Sequence, residues 1–293
     1  MRVHVIQVAY GDDEPMAERV SRVADLVRAQ RGAELVVLPE LWAAGGFAYR
    51  TWAERAELLD GPTVGALADA AREIGAVVHA GSIVEKVPDD APAAARGETG
   101  RGLWNTSVLL GPDGALLASY RKIHRFGFGQ GEPALMEAGT QIITLDLPLG
   151  EPVDHPVGDT LGDTVGDNTG RRAPVTVGLA TCYDLRFPEM FRLLLDAGAR
   201  VVLVPAAWPA PRVEAWRLLG RARAIENQLA LVQCNTGGSH GGLAMGGHSQ
   251  VVDATGRVLA EAGTGEEVIV AEIDVPAIDA WRADFPVLAD RRL

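Results

Sequence analysis

One of the chain's two cysteines, Cys182, closes an apolar run in VGLATCYDLRFPE, residues 177–189. A thiol at the carboxyl end of a strand and just before a helix sits where open α/β sheets carry their reactive groups. A helix N-terminus and a nearby cation would lower its pKa. Unpaired cysteine is also among the most buried residue types, so the same position suits an inert core thiol. Cys234, inside LALVQCNT, reads as core. A nucleophilic thiol needs a base and a holder for the oxyanion. Of six histidines, His4 and His79 fall in strand patterns and His155 in an acidic loop, which leaves His124, His240 and His248 as loop-borne candidates. Glu40 directly follows the apolar LVVLP, where partial desolvation suits a carboxylate to general-base work, although a Glu at a strand end is often a plain surface residue. Lys122, in SYRKIHRFGFG just past a hairpin, is a candidate donor to an oxyanion or a solvated loop cation.

The elements that must position these groups follow from hydrophobic period. RVHVIQVAY alternates Val3 and Val5 against His4 and Ile6, a strand pattern. Residues 14–30 place Met16, Val20, Val23, Leu26 and Val27 at helical spacing, with Gly32 predicted to close that helix. ELVVLPELW follows as a buried strand, which completes a parallel crossover unit. The pattern returns in VTVGLATC, a helix with Pro188 in its first turn running to Ala197, and RVVLVPAAW. GAELVVLPELW and GARVVLVPAAW therefore read as two copies of one design. Further strands are predicted in AVVHAGSIVE, LALVQCNT and EVIVAEID, and hairpins around Pro112-Asp113-Gly114 and Ala254-Thr255-Gly256. Helices are predicted over 64–74 and 213–227. The expected fold class is α/β, two mixed β-sheets with helices outside in four layers and an internal pseudo-repeat, as one domain over 1–293.

Composition narrows the partners. The 293 residues are 47% hydrophobic and 23% charged, an ordinary globular balance. With 27 basic and 39 acidic residues the formal charge is −12, which disfavours nucleic acid and anionic membranes as partners. No run of about 18 apolar residues and no secretion signal is visible, so no membrane span is expected. Two cysteines far apart make neither a disulfide framework nor a paired zinc site, and a reducing cytoplasm is the expected compartment. Residues 88–101 and 150–174 read as surface loops. The Asp159, Asp163, Asp167 spacing in the latter lacks the Asp-x-Asp and closing Glu of a calcium loop, so no metal is expected.

In combination the motifs say more than each alone. VVLPE, YRKIH and CYDLRFPE occur in that order, each at a strand end or past a hairpin, and RARAIENQLALVQCNTGG, GHSQVVDATGRVLAEAG and RADFPVLADRR follow. This resembles the nitrilase or carbon–nitrogen hydrolase superfamily over nearly the whole chain. The resemblance implies an αββα sandwich without cofactor, commonly a homodimer or higher assembly. It implies Glu40 as general base, Lys122 and the backbone N–H of Tyr183 as oxyanion donors, and Cys182 as nucleophile. A second Glu is implied seven residues before a turn glycine; Glu132 before Gly139 has that spacing, with Glu137 as a rival and EAGT where Pro-Gly-Asp is usual.

CYDLRFPE looks like the branch that contains the omega-amidases and deaminated glutathione amidases, which act on small carboxylate-bearing amides. There Arg186 either holds the substrate carboxylate or pairs internally with Asp184 or Glu189. Of the aromatics near the motifs, Trp42, Phe126, Phe128, Trp208 and Trp216, only Trp208 is placed beside the site. A nitrilase or an N-carbamoyl amidohydrolase on the same triad, a non-catalytic binding protein, and a Cys–His enzyme of another fold are the rival readings.

Overall fold

A computed structural model describes residues 1–149 and 173–292. Chain order in the first half is β1 (Arg2–Gln7), β2 (Ala9–Tyr10), α1 (Met16–Arg28), β3 (Leu35–Val37), α2 (Pro62–Ile74), β4 (Val77–Lys86), β5 (Leu103–Leu110), β6 (Leu116–Arg121), α3 (Glu132–Leu135) and β7 (Ile143–Leu147). The second half runs β8 (Val175–Leu179), α4 (Pro188–Asp196), β9 (Val201–Pro205), α5 (Val213–Asn227), β10 (Ala230–Cys234), β11 (Gly237–His240), β12 (Leu243–Ala244), β13 (Gln250–Val252), β14 (Val258–Glu261), β15 (Glu267–Glu272) and α6 (Val275–Asp284).

Two six-stranded sheets result, ordered β15-β1-β3-β4-β5-β6 and β7-β8-β9-β10-β13-β14. Each has the same sequence of pairings: antiparallel, parallel, parallel, antiparallel, antiparallel. The predicted pseudo-repeat is therefore a repeat of topology. One step is reciprocal, because β7 ends the first half yet pairs with β8, and β15 ends the second half yet pairs with β1.

Residue alternation explains the layers. In β1 and β3, Val3, Val5, Leu35 and Val37 point between the sheets, against Val177, Val201, Leu203 and Leu231. Ile6, Val36 and Leu38 point the other way, onto Val20, Val23 and Val27 of α1 and Leu67 of α2. A strand buried on both faces must be apolar at every position, which is why LVVL and VVLV are unbroken runs. Each fully buried Val or Leu contributes roughly 1.5–3 kcal/mol. Pro188 is the first residue of α4, as predicted.

Helix α1 ends earlier than expected. Its C-cap is Ala29, whose N–H returns to Asp25 O, and Gly32 at φ +83° serves the following turn instead. β7 and α6 have no counterpart in the sequence reading: β7 is a half-exposed edge strand, and α6 buries only Val275 and Ile278. No helix among the described residues is long and apolar enough to cross a membrane. His155 and the Asp159, Asp163, Asp167 spacing lie outside the described residues; among those described, no group of three or more His, Cys, Asp or Glu could hold a metal ion.

Candidate active site

The two proline-bearing strand ends of the repeat face each other. Glu40 leaves β3 through Pro39, and its N–H donates to Ala206 O at 3.4 Å, while the Ala207 N–H donates to Glu40 Oε2 at 2.8 Å. The approach depends on Gly81, at φ +71°, where a Cβ would lie 1.8 Å from the Pro39 carbonyl oxygen. Lys122 is the first residue after β6. Its N–H donates to Asn105 O at 2.9 Å and its carbonyl accepts from the Gly139 N–H at 2.8 Å. A Cβ on Gly139 would lie 1.8 Å from Arg121 O, so only glycine lets this turn press against the lysine.

Lys122 Nζ donates to Glu40 Oε1 at 2.7 Å and to Glu132 Oε2 and Oε1 at 2.9 and 3.1 Å. Asn105 Nδ2 bridges the same acids, at 2.7 Å to Glu40 Oε1 and 2.5 Å to Glu132 Oε1. Glu132 opens α3 and also accepts from the Phe126 N–H. Glu40, Lys122, Glu132 and Asn105 are all buried. Burial alone would push the Lys122 ammonium down, but the Glu132 and Glu40 charges outweigh it and hold it well above its usual range. Burial raises Glu132, helped by the like charge of Glu40 and opposed by Lys122 and Asn105. Glu137 is held elsewhere, by the Thr99 N–H and hydroxyl and the Arg101 N–H, so the spacing rival does not enter this cluster.

Cys182 opens a five-residue 3₁₀ helix, Cys182–Arg186, with φ +48° and 7% of its surface exposed. The expected lowering of its pKa is overturned. Burial pushes the thiol well above its ordinary value, the Glu40 charge adds to this, and the Lys122 charge only partly opposes it. Five residues of 3₁₀ helix supply too little dipole to compete. Among the described residues nothing accepts from the Tyr183 N–H, which follows the thiol in this turn. Cys234 is wholly buried, its one S–H shared between Ile6 O and Val37 O, which lie 3.3 and 3.4 Å from Sγ, the core role expected of it.

Asp184 ties the Cys182 turn to the lysine hairpin. Buried, it accepts from the Thr181 N–H at 2.8 Å, the Tyr120 hydroxyl at 2.7 Å and the His124 N–H at 3.0 Å, with His124 Nδ1 at 2.7 Å. It is therefore not available to Arg186. Asp184→Asn keeps the shape but leaves its donors underpaired, which should cost about 1–3 kcal/mol of stability. The shifted hairpin should lower kcat by up to about 10²-fold with little change in KM. Urea melts and steady-state kinetics check both; an unchanged kcat would remove the positioning role.

A narrow cavity opens over Cys182, Glu40, Lys122 and Glu132, with Phe126, Tyr49 and Trp208 as walls and Arg186 and Arg212 also lining it. Trp208 is where the sequence placed it. Phe126 joins it unexpectedly, whereas Trp42 and Trp216 are core residues and Phe128 is 83% exposed. Arg186 forms no pair with Asp184 or Glu189; among the described residues its guanidinium has no carboxylate partner and lies 4.7 Å over the Trp208 ring. None of His124, His240 and His248 lines the cavity: they meet Asp184, Tyr10 and Glu261. Asn105, Asp184 and Arg212 are the site residues the sequence reading missed. Asn105 alone left a signal, as a polar residue inside the strand run WNTSVLL.

A buried Glu–Lys–Glu cluster beside a thiol, at the facing strand ends of two sheets related by a repeat, defines a cysteine hydrolase class, and the comparisons name it. A family model described as Carbon-nitrogen hydrolase matches residues 2–283, and the chain belongs to that family. It is a hydrolase of C–N bonds other than peptide bonds, on the αββα plan that the ordered motifs led one to expect. A 2-oxoglutaramate amidase of Paenarthrobacter nicotinovorans is 41% identical over 290 residues, which cover 99% of this chain and 89% of that protein. A CN-hydrolase superfamily protein of Xanthomonas campestris, solved with an arsenic adduct in its active site, matches with a TM-score of 0.80 at 28% identity, covering 100% and 97% of the two chains. A mutant of the amidase from Nesterenkonia sp. AN1, which shows Michael addition of acrylamide at its active site cysteine, gives 0.70 at 25% identity and 99% coverage of both.

Proposed function

We propose that the chain is a cysteine-dependent amidase for small amides that carry a carboxylate away from the reacting carbon. The observation that carries this is the cavity itself, lined by a thiol, two acids and a lysine and also by arginine free of any described carboxylate partner. The resting thiol is neutral, so Glu40 acts as base during attack rather than facing a preformed thiolate. The Sγ–H proton passes to Glu40 as Sγ bonds to the amide carbon. Lys122 Nζ and the Tyr183 N–H hold the oxyanion, and Glu132 and Asn105 keep the lysine in place. Glu40 returns the proton to the nitrogen, the C–N bond breaks, and ammonia leaves a thioester on Cys182. Water gives a proton to Glu40 and attacks the thioester; the carboxylate product leaves and the thiol is restored.

Arg186 reads the carboxylate in this scheme, from its seat on Trp208. The relatives named 2-oxoglutaramate amidase support the substrate class, since such an amide carries a carboxylate at its far end. Two free thiols suit a cytoplasmic setting. Exposed Leu193, Leu218, Ile225 and Phe285, on α4, on α5 and just past α6, support a homodimer, which sedimentation velocity would read directly.

Ammonia release across succinamate, other ω-monoamides, N-carbamoyl amino acids and benzonitrile tests the assignment. Carboxylate-bearing amides should exceed benzonitrile, which has no carboxylate, by at least about 10²-fold in kcat/KM, as burial of a charge-matched group allows. A nitrile as the best substrate would replace the amidase reading with a nitrilase.

A further inference from the structure

We infer that Arg212 is a specificity-determining residue, a second arginine that closes on the carboxylate end of the substrate opposite Arg186. This rests on the amidase reading and deepens it. The charges that line the cavity divide into two groups. In one, Lys122 Nζ is taken up by Glu40 and Glu132 beside Cys182. In the other, Arg186 and Arg212 have no carboxylate partner among the described residues.

Both guanidiniums rest on aromatic faces, Arg186 over Trp208 at 4.7 Å and Arg212 over Phe126 at 5.4 Å. A ring face holds a cation without spending its hydrogen-bond donors, so each fork remains open to a carboxylate. Trp208 joins the two. Its ring carries Arg186, and its indole N–H donates to the Arg212 carbonyl at 2.8 Å, fixing the backbone of Arg212 while the side chain stays exposed.

A carboxylate entering beside Glu40 and Glu132 meets acids that already hold the one lysine, whereas one placed beside Arg186 and Arg212 meets two cations that no described carboxylate has taken. A short amide with a carboxylate at its far end is thus oriented with its amide toward Cys182 before any contact with the thiol. Closing on that carboxylate, Arg212 leaves the Phe126 face and forms a charge-assisted hydrogen bond.

The test compares kcat/KM on succinamate with that on butyramide, an uncharged amide of the same carbon count, for the wild-type protein, Arg212→Met, Arg212→Lys and Arg186→Met. Arg212→Met should lower the succinamate-to-butyramide ratio about ten-fold or more, mainly through KM on succinamate, the scale of one charged hydrogen bond. Arg212→Lys should restore part of it. Because Arg212 is exposed, Arg212→Met should keep the wild-type melting temperature. If Arg212→Met keeps the wild-type ratio while Arg186→Met lowers it, the second arginine is idle and the carboxylate-amidase reading survives. If the wild-type protein shows no preference for succinamate over butyramide, both fall together.

Discussion

Cys182→Ala is expected to lose amide hydrolysis by at least about 10³-fold, a scale that removal of a nucleophile reaches in other hydrolases. The structure adds a second, separable expectation. Cys182 holds φ +48°, the left-handed region that favours glycine, in the turn that presents its thiol to Glu40. Alanine keeps that strain and glycine releases it, so Cys182→Gly should be equally inactive yet more stable than Cys182→Ala by about 1 kcal/mol. Urea unfolding of the two variants, beside an ammonia-release assay, reads both effects. Hydrolysis surviving in the alanine variant would refute the nucleophile, and an alanine variant at least as stable as the glycine one would refute the strain.

Lys122→Met carries the other large effect because the ammonium has two tasks. As an oxyanion donor its loss should cost about 10²–10³ in kcat. As the cation shared by two buried acids its loss should cost about 3–5 kcal/mol of stability, since an uncompensated buried charge remains. Adding Glu132→Gln should recover part of the stability and none of the activity. The pH dependence has a definite sign. Glu132 already lies above the ordinary carboxylate value, chiefly through burial, and without Lys122 it is pushed further up. A carboxyl raised in the folded state contributes stability that is complete below its unfolded pKa and lost as pH rises through the folded one. The single variant should therefore be more stable near about pH 5 than near about pH 7.5, with the gap reduced in the double variant. Denaturant midpoints at the two pH values decide it; an unchanged midpoint would mean that Lys122 does not hold the acids together.

Much of the fold was legible because the two crossover units write themselves as paired apolar runs. LVVLP and VVLVP are unbroken since both faces of β3 and β9 are covered, and Pro39 and Pro205 mark where each strand must stop. β7 and α6 escaped because neither buries a full face, so periodicity is weak there. The exchange of β7 and β15 could not be read at all, because pairing between Ile143–Leu147 and Val175–Leu179, or between Arg2–Gln7 and Glu267–Glu272, depends on the whole tertiary arrangement.

The site divides in the same way. Glu40, Lys122 and Cys182 sit at strand or hairpin ends and are marked by apolar neighbours, and their order gave the resemblance its force. Asn105 lies within a strand, where only its polarity marked it. Arg212 lies between Pro211 and Val213 with no period around it, and only the three-dimensional approach of Phe126 gives it a place. The expected acidity of the thiol failed for a related reason: a dipole can be inferred from helix signals, whereas the neighbouring Glu40 charge and full burial are tertiary facts.

The reciprocal strand exchange also fixes an order of events at the ribosome. Glu40 follows β3, the strand next to β1, and β1 has an open edge until residues 267–272 arrive to cover it. Everything from β1 through β15 must be made before that edge is closed. The emerging chain thus carries an incomplete first sheet until those residues appear, and the Glu40 carboxylate acquires its finished frame only when β15 pairs with β1.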